Sequence, residues 1–245
     1  MPKNEPYFIK AEQGEGKDHS IIYLDGSGQL KRYIHGHWNW RANNPGNVHV
    51  GTISKKHSQI GVVNKLHCRN LAIFPNKNIG HDALIDCLRS YYSNLSLHGL
   101  AWKYAPPEDH NDPARYERDL RRATGIKDNR PIRKFTDEQF QKLLVGIENE
   151  EGGKIGRIID MCKITCVHKK NSEIFEYYIE EIGWITKTKC IALAKAKEID
   201  AYVVPSKLGT PYVRSRMDSS FQADFEKLVV PKNSNNNRRT KIRRK

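Results

Sequence analysis

No stretch of this 245-residue chain approaches the ~20 consecutive apolar residues that a membrane-spanning helix requires, which argues against a helical membrane protein. The start, Met1-Pro2-Lys3-Asn4-Glu5-Pro6, has no apolar core of the kind a cleavable signal peptide carries. Cysteines are few, odd in number and scattered: Cys68, Cys87, Cys162, Cys166 and Cys190. That pattern excludes a disulfide scaffold and predicts reduced, structural thiols. Cys162 and Cys166 have CxxxC spacing, but no Cys/His pair follows at zinc-site distance, and strand alternation puts both on one face. No Gly-rich phosphate loop, GxSxG elbow or cysteine-nucleophile context is present. Aromatics make up only 9% and hydrophobic residues 38%, yet a chain this long still buries a core, so wholesale disorder is excluded.

Acidic residues are also in short supply, 28 against 42 Lys and Arg, giving a net charge of +14. The excess is uneven: +5 over residues 1–155, +2 over 156–230 and +7 over 231–245, where seven basic residues meet no acid. Residues 231–245 have almost no apolar content to offset the entropy of ordering and are expected to be disordered when free. Such a tail makes weak, sequence-independent contact with polyanions or serves as a solubilising end. The body is only mildly basic, so a dedicated nucleic-acid face is not demanded.

Patterning divides the chain into a polar lead-in (1–20), a helical domain (21–155), a small α+β domain (156–230) and the basic tail (231–245). Ile21–Leu24 and Leu30–Ile34 flank Asp25-Gly26-Ser27-Gly28 and predict a hairpin. Asn43-Asn44-Pro45-Gly46-Asn47 is a dense run of turn formers. Helical spacing marks Ile79–Tyr92, and a shorter helix over Leu97–Tyr104 stops at Pro106-Pro107. Another helix starts after Asp112-Pro113, where Asp caps and Pro takes the first turn. The best-marked helix has Thr136 and Gln139 as a capping box, Phe135 and Phe140 as a staple, and a stripe of Phe140, Leu144 and Ile147. It runs to Glu151 before Gly152-Gly153. Beyond it the pattern predicts strands over 158–167, 175–179, 201–204 and 212–214, with a helix over 186–197.

Trp40-Arg41 followed by Asn43-Asn44-Pro45-Gly46-Asn47, then Phe74-Pro75, Gly80 with Ala83-Leu84, Tyr104-Ala105-Pro106-Pro107, Asn111-Asp112 with Tyr116, Thr124-Gly125, and Ile147 to Gly152 occur in a distinctive order. Over roughly residues 22–155 this order resembles the lysozyme-like or glucosaminidase-like peptidoglycan hydrolase domains of polymorphic toxins, secretion-system effectors and phage structural proteins. The chain departs from that pattern in two places. Glu150-Glu151-Gly152-Gly153 stands where the family has His-Glu-Gly-Trp, and Pro113 stands where it has Thr. The second half, with Gly183-Trp184-Ile185 and Pro211-Tyr212-Val213-Arg214-Ser215, resembles a small domain that accompanies such toxins. The resemblance implies a fold that is α+β overall, with a mainly helical lysozyme-like domain followed by a small α+β accessory domain.

Glu151 stands out on physical grounds too. It continues the spacing 140, 144, 147, so its carboxylate shares the apolar face, and it sits in the last turn, where the helix dipole disfavours negative charge. Both effects favour a protonated acid able to protonate a glycosidic leaving oxygen. Glu148 and Glu150 are expected to be exposed. A second carboxylate could come from Glu108, Asp109 or Asp112; Asp112 matches the family motif, and its competing role is a helix cap. Asn43, Asn44 and Asn47 offer amides to sugar acetamido groups or to the turn backbone itself. Trp38, Trp40 and Trp102 are candidates for stacking on sugars or for core packing, and Tyr104 of the Ala-Pro-Pro motif joins Trp40 and the asparagines as a substrate-binding candidate. His35-Gly36-His37 with His49, His57 and His67 permits a metal or histidine-nuclease reading, but no regular acidic or cysteine partner accompanies them, so neither a metal nor a cofactor is expected.

The expected activity is therefore a peptidoglycan hydrolase, an antibacterial effector or toxin that cleaves the glycan strand with Glu151 as acid and Asp112 as the second candidate. Its expected partners are peptidoglycan, an immunity protein, and polyanions through residues 231–245. Delivery from the bacterial cytoplasm to the periplasm or wall would need no cleavable signal. The alternatives are a non-catalytic wall- or partner-binding adaptor and a nucleic-acid-targeting toxin.

Overall fold

The computed structural model describes residues 6–14, 19–64, 69–109, 111–171, 173–206, 209, 211–214 and 228–230. Cys68, His67 and the 231–245 tail therefore lie outside the described residues. The chain separates into two compact units, Met1–Asp160 and Met161–Lys245.

The first unit begins with strands β1 (Phe8–Gln13), β2 (Ile21–Asp25) and β3 (Leu30–Ile34), paired antiparallel in that order. Two short helices follow, α1 (Trp38–Arg41) and α2 (Thr52–Lys56), then a hairpin of β4 (Gly61–Val63) and β5 (Leu71–Ile73). The helical layer comprises α3 (Lys77–Cys87), extended by a π-turn over Leu88–Tyr92, α4 (Leu97–Tyr104), α5 (Pro113–Thr124) and α6 (Asp137–Glu150). After α6, β6 (Arg157–Met161) returns to the open side of β3 and completes a four-stranded sheet. The Lys31 ammonium pairs with Asp160 across that junction.

Local chemistry accounts for the helix ends. Asn76, Ser96, Asp112 and Thr136 each accept a backbone N–H in the first turn of α3, α4, α5 and α6, and Thr136 with Gln139 closes the reciprocal box. Two apolar clusters fill the unit. One joins Phe74 and Val48 to the inner faces of α3–α6, including Leu84, Leu100, Leu120, Phe140, Leu144 and Ile147. The other lies under the sheet and contains Phe8, Ile21, Tyr23, Tyr33 and Ile73.

The second unit holds β7 (Ile164–Lys170), β8 (Glu173–Ile179) and β9 (Gly183–Thr186) in one antiparallel sheet, then α7 (Lys187–Ala196) and the hairpin β10 (Tyr202–Val204) and β11 (Tyr212–Arg214). Tyr177, Val167 and Ile185 face Cys190 and Ala194 of α7 in its core. Cys190 is fully buried, whereas Cys87, Cys162 and Cys166 are partly buried.

The expectation of a mainly helical, lysozyme-like first domain is overturned. The described chain is mixed α/β, with seven helices and eleven strands in four antiparallel sheets, about 37% helix and 28% strand. The missed strands have local causes. A bulge between Phe8 and Lys10 places Phe8 and Ala11, three apart, on the buried side, so β1 loses the period of two and reads as a polar lead-in. β4 and β5 are three residues each, too short to show alternation. The predicted strand over 158–167 divides at Cys162-Lys163 into β6 and β7, which join different sheets.

Candidate active site

Asn44 organises the turn before the site. It is fully buried. Its amide nitrogen donates to the carbonyls of Val48 and Ala72, both at 2.9 Å, and its Oδ1 accepts from Val48 N–H at 2.7 Å. Asn43 donates to Phe74 O at 3.3 Å. The loop is thereby tied to β5, and Asn44 has no amide bond left for a sugar. Replacing Asn44 with Ala removes three hydrogen bonds and leaves Val48 N–H without its acceptor, and we expect a loss of roughly 2 kcal/mol in urea unfolding.

Asn43 and Asn47 both adopt left-handed backbone conformations, φ 51° and 48°, which asparagine tolerates better than most residues. At Asn47 this geometry aims the side chain at the end of α6. Its Nδ2 donates to Glu151 Oε2 at 2.6 Å, and Tyr116 Oη donates to Glu151 Oε1 at 3.1 Å. Tyr104 donates to Gly46 O, bracing the same loop from α4. Burial first, and then the Glu151 charge, push both tyrosines well above the usual phenol range, so their hydroxyls stay protonated. Both contacts donate to the Glu151 carboxylate, one to each oxygen, and so fix its orientation from two sides.

The turn beyond Glu151 is held by Gly152. At φ 97° a side chain is strained there, and a Cβ would fall inside contact distance of the His37 ring. His37 N–H donates to Lys154 O at 3.0 Å, which draws the chain after α6 back towards β3.

Glu151 lines a cleft of about 710 Å³ together with Asn47, Tyr104, Glu108 and Asn111. Trp102, 48% exposed, and Tyr91, 54% exposed, offer apolar ring faces in it, while Arg69 and Lys103 supply positive charge. No protein-family profile, curated protein or solved structure matches this chain. The assignment of the site therefore rests on this geometry.

Of the residues singled out from sequence, the cleft gathers Glu151, Asn47, Tyr104, Trp102, Glu108 and His49. Asp112 is exposed and caps α5, accepting from Arg115 N–H at 3.0 Å; Glu108 lines the cleft, and the Asp109 side chain lies outside the described residues. Trp40 packs against Tyr33, ring centroids 5.0 Å apart, and with Asn43 lines a separate cavity of about 400 Å³. Trp38 is partly buried against the sheet core, with the Arg41 guanidinium 3.7 Å from its ring centroid. Glu148 and Glu150 are not free surface acids: Glu148 meets Lys77 at 3.2 Å and His81 at 3.5 Å, and Glu150 meets Arg115 at 3.2 Å. Among the described residues no group of three or more His, Cys, Asp or Glu is placed to hold a metal ion.

Sequence reasoning gave no site role to Tyr116, Tyr91, Arg69 or Lys103. Tyr116 was legible in principle, because Pro113, Tyr116, Leu120 and Thr124 mark the buried face of α5. Cys87 also lines the cleft, and burial pushes its thiol up to about 11, so it is no thiolate nucleophile at neutral pH. Iodoacetamide at about pH 7.5 is expected to leave Cys87 unmodified in the native protein and to label it after unfolding, read by peptide mass mapping.

Proposed function

We infer that the first unit is a glycan-strand hydrolase acting on peptidoglycan, with Glu151 as general acid. The observation that carries the reading is the Glu151 carboxylate, held between Asn47 and Tyr116 at the wall of an aromatic-lined cleft. A carboxyl group whose orientation is fixed from two sides suits proton transfer to a leaving oxygen. Exposed indole and phenol faces suit sugar rings, and Arg69 and Lys103 suit the carboxylates of wall glycans. The order of motifs, similar to that of peptidoglycan hydrolase domains in toxins and effectors, points the same way and suggests an antibacterial effector reaching the wall. Glu108 is the candidate second carboxylate, in place of the capping residue Asp112.

The test is incubation of the purified protein with peptidoglycan followed by chromatography and mass spectrometry of the soluble fragments. Release of muropeptides supports the reading, and no release at any pH between about 4 and 8 rejects it. Expression with and without an added export signal separates the alternatives, because a wall hydrolase harms the cell only from the periplasm.

A further inference from the structure

The second unit presents a ring stack that nothing in the hydrolase reading uses. Register places Tyr178 opposite Cys166 and Trp184, and Glu176 opposite His168 and Thr186, so these residues share the face of the β7–β8–β9 sheet away from α7. Trp184 reaches across the central strand and lies flat on the His168 imidazole, with ring centroids 3.7 Å apart and planes 6° apart. His168 is held by Glu176, Nδ1 to Oε2 at 3.0 Å, and is backed by Phe175 at 6.0 Å. Tyr178 meets Trp184 edge-on at 5.4 Å. His168 is buried beneath this arrangement, whereas Trp184 is 42% and Tyr178 37% exposed. The indole is thus fixed from below with its outer face open, the arrangement of a stacking platform rather than of a core tryptophan.

Charge indicates the occupant. Leu228–Val230 runs parallel to β7, with Val167 N–H donating to Leu228 O and Val230 N–H to Val167 O. Its C-terminal end therefore points to the end of the sheet that carries Lys169 and Lys170, with Glu173 opposite Lys170, and Lys187 and Lys189 follow β9 at that same end, so four lysines there face one carboxylate of the sheet's end. The sequence continues from Val230 into the fifteen residues with seven basic side chains and no acid. Glu180 and Glu181 sit in the β8–β9 turn at the opposite end. Glu176 on the open face is paired with His168.

We propose that this face binds single-stranded nucleic acid, with bases stacking on Trp184 and the phosphate backbone running toward the lysine-rich end of the sheet. Flat π-faces joined by regularly spaced phosphates match an open indole next to concentrated positive charge, and such binding is sequence-tolerant and salt-dependent. The inference is independent of the role of Glu151.

The experiment is fluorescence anisotropy of a labelled oligothymidylate with the full chain between about 50 and 200 mM salt. Binding is expected to weaken steeply as salt rises. Trp184→Leu is expected to weaken it roughly ten-fold or more at fixed salt, while Trp184→Phe, which keeps a ring, retains most of it. A full chain with the seven basic residues of 231–245 changed to Gln is expected to show a shallower salt dependence. Circular dichroism of both Trp184 variants establishes that they fold, and the Phe variant carries the comparison if the Leu variant does not. Absence of binding at about 50 mM salt would overturn the proposal. Unchanged affinity of folded Trp184→Leu, or of Trp184→Ser in a fold preserved by the Phe variant, would also do so, since the contact would then be charge alone. Displacement of the probe by a neutral glycan strand, with Trp184-dependent glycan binding, would reassign the platform to carbohydrate.

Discussion

Changing Glu151 to Gln is expected to lower muropeptide release by roughly 10²–10⁴-fold, the usual contribution of a positioned general acid. The fold should survive. The Gln carbonyl oxygen still accepts from Asn47 Nδ2, and its amide can donate to the Tyr116 hydroxyl, so both contacts of the carboxylate are reproduced in shape. What is lost is the transferable proton. Comparing initial rates of glycan release with the thermal midpoint of the same preparations separates the two effects. If the Gln variant released muropeptides at the wild-type rate, Glu151 would be a structural cap, and the first unit would fit a binding module better than an enzyme.

Gly80→Ala is expected to cause the largest structural loss. Gly80 lies in α3, against the Asn43–Pro45 turn, and a Cβ there would collide with the carbonyl oxygen of Asn43 and crowd Pro45. The obstacle is backbone, which cannot rotate away as a flexible side chain can. We expect a cost of about 3 kcal/mol, a fall of roughly 6–12 °C in the unfolding midpoint, and loss of activity as the turn carrying Asn47 moves away from Glu151. Gly153→Ala is the matched control. No atom lies within 4 Å of its added Cβ, and its effect should stay within about 0.5 kcal/mol.

The longer helices α3–α7 were legible because each carries its signals locally, whereas the short α1 and α2, four and five residues long, have too few turns to show a helical period. The Thr136–Gln139 box, the Asp112-Pro113 start and the stripe through Phe140, Leu144 and Ile147 lie within a few residues of what they specify. The β2–β3 hairpin was legible for the same reason, its turn being encoded in Asp25 to Gly28. The sheet as a whole was not. β1 hides its alternation behind a bulge, and β6 pairs with β3 across more than a hundred residues, a partnership no local window encodes. That long-range pairing turned an expected helical domain into a mixed one.

The candidate site divides along the same line. Sequence spacing by itself determined that Glu151 continues the apolar face of α6 and that residues 43–47 form a tight turn, because helix period and turn propensity are properties of neighbouring residues. Only the tertiary structure decided which members of that turn face the cleft. Asn44 turns inward to satisfy three backbone groups of Val48 and Ala72, whereas Asn47, in a left-handed conformation, turns to the carboxylate. It likewise assigned Asp112 to a helix cap and brought Tyr116 to Glu151 from a separate helix. Identical side chains a few positions apart take different roles because each buried polar group must find a partner, and where that partner lies depends on how the strands and helices pack.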